Sequence, residues 1–196
     1  MSSQLFEKDF IDAFNHAMLY EVGPHWDPTK PDVIAGKIGN KQQRRDVGYV
    51  NDPDDTGGET KFGIAKNANP SVDIKNLTLE GAMVIYYNKY WLEPNCNSMP
   101  APINLIHFDG CINHGSTRAN KFIQKVVGAE PDGKIGARTL KLIREADAKK
   151  VVIGIADLRE QFYLDIIKRK PSQEKFKNGW LRRISEIKEY CLKRLK

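Results

Sequence analysis

A short acidic and glycine-rich stretch restricts most strongly what this chain can fold into. Residues 51–64 contain four acidic residues and three glycines, which is a poor composition for a buried core. Glycine permits backbone conformations with positive φ, and Gly57-Gly58 is typical of a tight turn or a hairpin tip. The stretch therefore predicts a turn that presents carboxylates. A solvated acidic turn and an exposed cation-binding loop are the alternative interpretations.

An amphipathic helix is predicted before this stretch, over residues 4–21. On a helical wheel Glu21 projects within roughly 20° of Phe10 and Phe14, so its carboxyl group continues the apolar face. Partial desolvation favours the protonated form that a general acid needs. A frayed helix end with Glu21 in water is the alternative. The apolar positions of the helix are Leu5, Phe6, Phe10, Phe14, Ala17 and Met18.

Several separate elements together resemble one known family. They are Glu21, Gly48 to Ile64, Tyr86-Tyr87-x-x-Tyr90-Trp91, Phe108-Asp109-x-x-Ile112-Asn113-x-Gly115, Asp132-Gly133-x-Ile135-Gly136-x-x-Thr139-Leu140 and Phe176-x-x-Gly179-Trp180-x-x-Arg183. This set resembles the glycoside hydrolase 108 family, which comprises phage endolysins and related bacterial muramidases. The matching elements span nearly the whole chain, and the run from Gly48 to Ile64 is the most specific of them.

The chain departs from the family pattern at the expected general acid. In the family the acid is followed directly by Gly-Gly-Tyr, whereas here residues 24–47 separate Glu21 from Gly48-Tyr49. An ungapped alignment would put Asp46 in the place of the glutamate. We favour Glu21, because it ends an amphipathic helix and has the longer side chain, and we keep Asp46 as the alternate acid.

The resemblance implies lysozyme chemistry, which uses a protonated carboxyl group and a second carboxylate. Glu21 is then the general acid, Asp55 orients or activates a water, and Thr60 hydrogen-bonds that water. Asp55 and Thr60 follow Asp46 by nine and fourteen positions, a spacing that resembles the triad of phage lysozymes. Asp52 and Asp54 are the alternate second carboxylates. A water-mediated arrangement of this kind favours inversion at the sugar.

Substrate contacts are expected on both sides of the acidic stretch. The resemblance implies substrate-binding roles for Tyr49, Asp52, Phe62 and Asn113. Residues 24–47 are predicted to form a long loop, in which Trp26 stacks on a sugar. A decorative insertion without a function is the alternative for this loop.

No metal and no cofactor are expected. Cys96, Cys111 and Cys191 have no spacing typical of a metal site, and we interpret them as isolated thiols. His107 and His114 do not match the common zinc motifs with two histidines.

The predicted fold class is mainly α, an α+β lysozyme-like fold with a small β-hairpin near residues 33–64. We expect a catalytic lobe over residues 1–98 and a helical lobe over residues 99–196 that resembles peptidoglycan-binding modules, packed as one compact body. A long helix is predicted over residues 149–169. Its apolar stripe consists of Val151, Ile155, Leu158, Phe162 and Ile166.

The net charge of +6 suits a polyanionic partner, such as nucleic acid, an anionic membrane or a bacterial cell wall. The resemblance favours the wall. It implies hydrolysis of the β-1,4 bond between N-acetylmuramic acid and N-acetylglucosamine in peptidoglycan. No nucleic-acid-binding motif is visible, and a monomer is expected. The alternatives are a non-catalytic wall-binding module and a basic nucleic-acid-binding protein.

No secretory signal is expected, because Met1 to Glu21 is charged and amphipathic. No stretch approaches the ~20 apolar residues of a membrane span. The resemblance implies an endolysin that stays in the host cytoplasm until lysis and then acts on the periplasmic wall. It also implies a holin-type partner for its release.

Overall fold

The computed structural model describes residues 6–23, 26–27, 49, 51 and 58–195. Over these residues the chain is mainly helical, with one antiparallel sheet of two strands. The predicted fold class, mainly α with a small hairpin, is therefore confirmed. None of the described helices is both long and apolar enough to cross a membrane.

Within the described ranges there are seven α-helices and two strands. The helices are α1 (Lys8–Glu21), α2 (Leu79–Tyr86), α3 (Ile103–His114), α4 (Ser116–Val126), α5 (Ala137–Glu145), α6 (Ala148–Arg169) and α7 (Lys177–Lys193), and the strands are β1 (Thr60–Lys61) and β2 (Ile64–Ala65). A π-helical segment, Tyr87–Leu92, continues α2, and a short 3₁₀ helix, Pro171–Phe176, precedes α7.

The contacts divide the chain into two compact units. The first unit holds Met1–Glu7 and Phe14–Tyr86, as far as these residues are described, and the second holds Lys8–Ala13 and Tyr87–Lys196. The lobes predicted over residues 1–98 and 99–196 stay a prediction.

In the first unit, β1 and β2 form a hairpin with Thr60 opposite Ala65. The two turn residues, Phe62 and Gly63, have φ values of 52° and 75°. Positive φ at both central residues is the geometry that matches the twist of a two-residue hairpin, and glycine adopts it readily. Phe62 carries the strain of this turn.

The core of the first unit is aromatic. The Phe14 ring lies 5.4 Å from the Tyr86 ring and 6.3 Å from the Trp26 ring. Thr78 caps α2, because its Oγ1 accepts a hydrogen bond of 3.1 Å from the Gly81 N–H. This cap agrees with the preference for threonine at helix N-termini.

Helix α3 is the centre of the second unit. All nine residues from Ile103 to Cys111 are buried, and α4, α6 and α7 pack against this helix. Phe108 of α3 lies 5.8 Å from Phe10 and 5.6 Å from Trp91, ring to ring. A helix that is buried on every side explains why the segment lacks a clear amphipathic pattern.

Two predictions from the sequence need correction, the start of α1 and the buried face of α6. Helix α1 begins at Lys8, with Glu7 as its N-cap, rather than at residue 4. In α6 the buried face includes Val152, Ala156, Arg159 and Tyr163, whereas Leu158, Phe162 and Ile166 of the predicted stripe are only half-buried. The face is rotated because α6 turns a charged residue, Arg159, toward α3.

The Asp-Gly turn before α5 is held by side chains of α4. Gln124 accepts a hydrogen bond of 2.8 Å from the Gly133 N–H and donates to the Lys134 carbonyl at 3.0 Å. Gly133 has a φ of 84°, and a Cβ built on it would lie 2.9 Å from Thr117 Cγ2. Glycine is therefore required here by both the backbone and the space.

Candidate functional site

The carboxyl group of Glu21 lies at the turn of the hairpin. Glu21 is the last residue of α1 and is half-buried. A Cβ built on Gly63 would lie 3.0 Å from Glu21 Oε2 and 2.6 Å from the Tyr86 hydroxyl. Only a residue without a side chain leaves this space open. Gly63 therefore lets the hairpin turn approach a carboxyl group at the end of α1.

Tyr86 fixes the other side of this turn. Its hydroxyl donates a buried hydrogen bond of 2.9 Å to the Phe62 carbonyl. The phenol thereby holds Phe62 in its left-handed conformation and stands next to Glu21. Sequence analysis placed Tyr86 in a family motif without a role. Its position beside the hairpin depends on the packing of α2 and is not visible in the local sequence.

A second carboxylate, that of Glu59 in the acidic stretch 51–64, has a hydroxyl partner. The Tyr49 hydroxyl donates a hydrogen bond of 2.9 Å to Glu59 Oε2. This hydrogen bond to a carboxylate raises the pKa of Tyr49. Sequence analysis proposed Tyr49 as a substrate-binding residue and did not select Glu59. Its place among the four acidic residues of the stretch 51–64 was the available signal for it.

Thr60 opens strand β1 next to these groups. Its Oγ1 donates to the Gly58 carbonyl over 3.3 Å. A hydroxyl that donates in this way still has lone pairs with which to accept from a water. Of the other predicted catalytic residues, Asp55 and the alternate acid Asp46 lie outside the described residues, as do Asp52 and Asp54.

Two of the predicted substrate-binding aromatic residues face inward. Trp26 is 7% exposed, packs against Phe14, and donates a hydrogen bond of 3.3 Å from Nε1 to Asn15 Oδ1. Phe62 is 3% exposed. Neither presents an open ring face, so stacking on a sugar would first require the ring to move outward. The roles predicted for them stay predictions that this packing does not favour.

Asn113 lies near the end of α3 and binds its own helix. Its side-chain amide donates to the Asp109 carbonyl oxygen over 3.1 Å. It is half-buried, and its predicted substrate contact stays a prediction. Asn113 lies one helical turn from a buried carboxylate, that of Asp109.

Asp109 accepts ion pairs from two different helices. Arg159 Nη2 of α6 lies 2.5 Å from Asp109 Oδ2, and Arg183 Nη2 of α7 lies 2.9 Å from Asp109 Oδ1. The side chains of Asp109 and Arg159 are 2% and 1% exposed, whereas that of Arg183 is 12% exposed. Burial alone would raise the pKa of Asp109, but the two guanidinium groups hold it far below its usual range. We call Asp109, Arg159 and Arg183 the buried ion cluster.

His114 completes this environment at the end of α3. Arg159 Nε donates to His114 Nε2 over 3.1 Å, so this ring nitrogen must be an acceptor. Burial and the positive charge of Arg159 lower the pKa of His114 to about 3. His114 is therefore neutral at physiological pH. Sequence analysis named Asp109 and Arg183 only as motif residues and missed Arg159.

A surface pocket of about 250 Å³ begins at His114. It is lined by His114, Gly115, Ser116, Thr117, Arg118 and Lys121. Arg118 lies 4.5 Å above the Phe162 ring, and Lys121 is exposed. The pocket therefore combines cationic and hydroxyl groups, which suits an anionic or a polar ligand.

An aromatic surface is formed by residues of α6, of α7 and of the 3₁₀ helix between them. The rings of Tyr163 and Trp180 are stacked at 4.4 Å, and Phe176 lies 5.7 Å from Trp180. Phe176 is 45% exposed. An exposed ring beside a stacked pair is suited to contact with a sugar ring or a peptide.

Residues 42–115 match the family model described as Glycosyl hydrolase 108. This region is similar to the glycosyl hydrolase 108 family. Residues 118–185 match the family model described as Predicted Peptidoglycan domain. The resemblance stated from the sequence is thus confirmed over these two ranges, and both support a glycoside hydrolase that acts on peptidoglycan.

The whole chain also resembles a solved structure. The structure of Brucella abortus SagA matches with a TM-score of 0.68 and 28% sequence identity, and the match covers 93% of this chain and 93% of that chain. No curated protein matches the chain.

The two family ranges meet in the buried ion cluster. Asp109 lies in the glycosyl hydrolase 108 range, whereas Arg159 and Arg183 lie in the peptidoglycan range. The glycosyl hydrolase 108 range includes Asp46 and begins after Glu21. Both candidate acids must therefore be tested together.

Proposed function

We propose that the protein cuts the glycan strands of bacterial peptidoglycan at the β-1,4 bond between N-acetylmuramic acid and N-acetylglucosamine. The two family matches support the substrate class. The observation that carries the proposal is the position of Glu21, whose carboxyl group lies against the Gly63 turn at the edge of the glycosyl hydrolase 108 hairpin. No metal or cofactor takes part in this proposal.

In this proposal Glu21 protonates the glycosidic oxygen as the bond breaks. Gly63 leaves space beside the carboxyl group, and Tyr86 holds the turn in place. Asp55 activates the attacking water, and Thr60 accepts a hydrogen bond from it. The carbohydrate then leaves with inverted stereochemistry, as expected when a water stands between the second carboxylate and the sugar.

Asp46 is the alternate acid, and the family match gives it weight, because Asp46 lies inside the matched range. Glu21 and Asp46 make opposite predictions for single substitutions. We expect Glu21→Gln to lower the rate by about 10²–10⁴-fold, as loss of a general acid does, and Asp46→Asn to retain most of the activity.

The experiment follows the loss of turbidity and the release of reducing ends from purified Gram-negative peptidoglycan at neutral pH. The parent, Glu21→Gln and Asp46→Asn are compared with Glu80→Gln, which removes an exposed carboxylate from α2 in the same unit. Activity lost only in Glu21→Gln supports the assignment. Activity lost only in Asp46→Asn transfers the role of the acid to Asp46.

The bond itself is identified from the new reducing ends. Borohydride reduction followed by mass spectrometry gives a reduced N-acetylmuramic acid after muramidase cleavage. A reduced N-acetylglucosamine would instead define a glucosaminidase. An inactive parent that still sediments with peptidoglycan would favour a non-catalytic wall-binding module.

We propose that the aromatic surface at Phe176 and Trp180 holds the protein on the wall. It lies in the range that matches the peptidoglycan domain. Phe176→Ala should weaken co-sedimentation with insoluble peptidoglycan and leave cleavage of short soluble fragments unchanged. Val84→Ala is the matched control, because Val84 is 42% exposed and lies in α2. Equal sedimentation of both variants would remove this role from Phe176.

We also propose that the protein works as a monomeric endolysin, as the sequence resemblance implies. It would remain in the host cytoplasm until a holin-type partner gives it access to the periplasmic wall. Cytoplasmic expression should then lyse cells only when a holin is co-expressed. Lysis without the holin would contradict this route.

A further inference from the structure

Three metal-ligating side chains meet in the core of the second unit, and the proposed hydrolysis uses none of them. Cys96 and Cys111 are 0% exposed, and His107 is 1% exposed. One ligand atom from each of the three residues lies within 4.8 Å of the other two. All three cysteines are free thiols, as predicted, but Cys96 and Cys111 lie close to each other.

The fold brings these residues together from two segments. His107 and Cys111 are four residues apart in α3, so they lie on one face of the helix, one turn apart. Cys96 opens the short 3₁₀ helix Cys96–Ser98, which packs against α3. The Cys96 thiol donates a weak hydrogen bond of 3.5 Å to the Tyr90 carbonyl.

Asn120 fixes the orientation of the His107 ring. Its side-chain N–H donates to the Gly133 carbonyl over 2.9 Å, which leaves its Oδ1 as an acceptor. His107 Nε2 lies 3.0 Å from this Oδ1 and must donate to it. His107 Nδ1 then carries a lone pair. A histidine that donates one ring N–H to an oxygen and keeps the other nitrogen for a metal is the usual arrangement in metal sites.

We propose that Cys96, His107 and Cys111 form a buried structural site for Zn²⁺. Thiolate sulfur and imidazole nitrogen are the ligands that zinc prefers. Two thiolates cancel the charge of the dication, so the occupied site would be neutral, as a core with no access to solvent requires. The Tyr90 carbonyl oxygen lies 3.5 Å from the Cys96 sulfur, at the edge of this site.

The spacing of the side chains suits this ion. Zinc bonds of about 2.3 Å to sulfur and 2.0–2.1 Å to nitrogen put tetrahedral ligand atoms roughly 3.5–3.8 Å apart. Ligand atoms within 4.8 Å of one another reach that geometry by small side-chain rotations. Binding displaces one proton from each thiol, so two protons are released per zinc ion. Affinity should therefore fall as the pH is lowered.

The test uses the full chain, reduced and treated with a chelator. It is titrated with Zn²⁺ against a chromophoric competitor, and with Cd²⁺ to detect the ultraviolet charge-transfer band of cadmium thiolates. We expect one ion per chain and a band whose intensity corresponds to two thiolates. Cys96→Ser and Cys111→Ser should each weaken zinc binding by more than about 100-fold, since even changes of outer residues cost 10–100-fold.

Cys191→Ser is the matched control, because it removes a buried cysteine from outside the cluster. It should keep the affinity and the cadmium band of the parent. Zinc should also raise the melting temperature of the parent and of Cys191→Ser, but not that of Cys111→Ser. Circular dichroism shows whether each variant is folded.

The result on the parent decides the matter even if a variant fails to fold. A folded, reduced parent that binds no zinc, or gives no thiolate band with Cd²⁺, overturns the proposal. Equal loss of binding in Cys191→Ser and Cys111→Ser also overturns it. The purified parent could also contain a disulfide between Cys96 and Cys111. If that disulfide persists when reductant and zinc are added together, the pair would be assigned to redox chemistry and the zinc proposal would be overturned.

Discussion

Loss of the Asp109 carboxylate should destabilise the second unit strongly, because both arginines of the buried ion cluster depend on it. Asp109→Asn keeps the size of the side chain and removes its charge. Arg159, whose side chain is 1% exposed, then faces only neutral groups, the new amide at position 109 and His114, among the partners described above. Arg183 is more exposed and can turn its charge toward water.

The magnitude follows from this arrangement. Breaking a buried ion pair and leaving one charge uncompensated costs about 3–5 kcal/mol. For a chain of this size each kcal/mol lowers the melting temperature by roughly 2–4 °C, so we expect a decrease of about 6–20 °C. Arg159→Met should cost less, because Asp109 would still be paired with Arg183.

Asp12→Asn is the matched control. Asp12 also contacts two basic residues, Lys8 at 3.0 Å and Arg194 at 3.1 Å, but this pairing lies at the surface. Exposed ion pairs contribute about 0–1 kcal/mol, so this variant should unfold almost like the parent. Urea unfolding at pH 7 measures the free energy of unfolding and thermal unfolding measures the melting temperature, both followed by far-ultraviolet circular dichroism.

Similar losses in Asp109→Asn and Asp12→Asn would refute the reasoning, since burial is the main difference between the two sites. A double variant, Asp109→Leu with Arg159→Met, provides an independent check. It removes the buried opposite charges together, and apolar replacement of buried ion pairs is often neutral. It should therefore recover most of the stability that Asp109→Asn loses.

Two further predictions concern the hairpin turn and acid stability. Gly63→Ala should cost about 1–3 kcal/mol and most of the hydrolytic activity, because Gly63 has a φ of 75° and a Cβ there meets Tyr86 and Glu21. Gly179→Ala in α7 is the control, because a Cβ on Gly179 has no atom within 4 Å, and this change should be neutral or stabilising. Equal effects of Gly63→Ala and Gly179→Ala in urea unfolding and turbidity assays would contradict the argument. The pKa of His114 is about 3 in the folded protein, below its ordinary value, so the unfolded chain binds the extra proton as the pH falls. The contribution of His114 to stability should therefore be complete above about pH 6.5 and decline toward pH 3, by up to ~1.4 kcal/mol per pH unit. Urea unfolding across this range should show a smaller slope for His114→Gln than for the parent, and identical slopes would disprove the assignment.

Local features of the sequence were sufficient for the two helices predicted from apolar periodicity. The helices predicted over residues 4–21 and 149–169 appear in the structure as α1, Lys8–Glu21, and α6, Ala148–Arg169. The Gly-Tyr-Val-Asn-Asp run was equally local, and it pointed to the family that matches residues 42–115. The start of α1 was misplaced because the apolar pattern begins at Leu5 and Phe6, before the first helical residue, Lys8.

Periodicity was misleading in α6. Arg159 interrupts the apolar pattern, and a charged residue is normally placed at the surface. Its burial depends on Asp109, which lies 50 residues away in the chain. No pattern within α6 could reveal that partner.

The sequence by itself therefore determined the helical class and the similarity of residues 42–115 to glycosyl hydrolase 108, because these depend on neighbouring residues and on a specific motif. Tertiary packing decided which distant side chains meet. It brought Gly63 to Glu21, Arg159 and Arg183 to Asp109, and Cys96 to His107 and Cys111. Such contacts are set by how helix faces and turns pack together. Where that packing excludes water, a buried polar group must find its partner among the side chains that the fold places beside it.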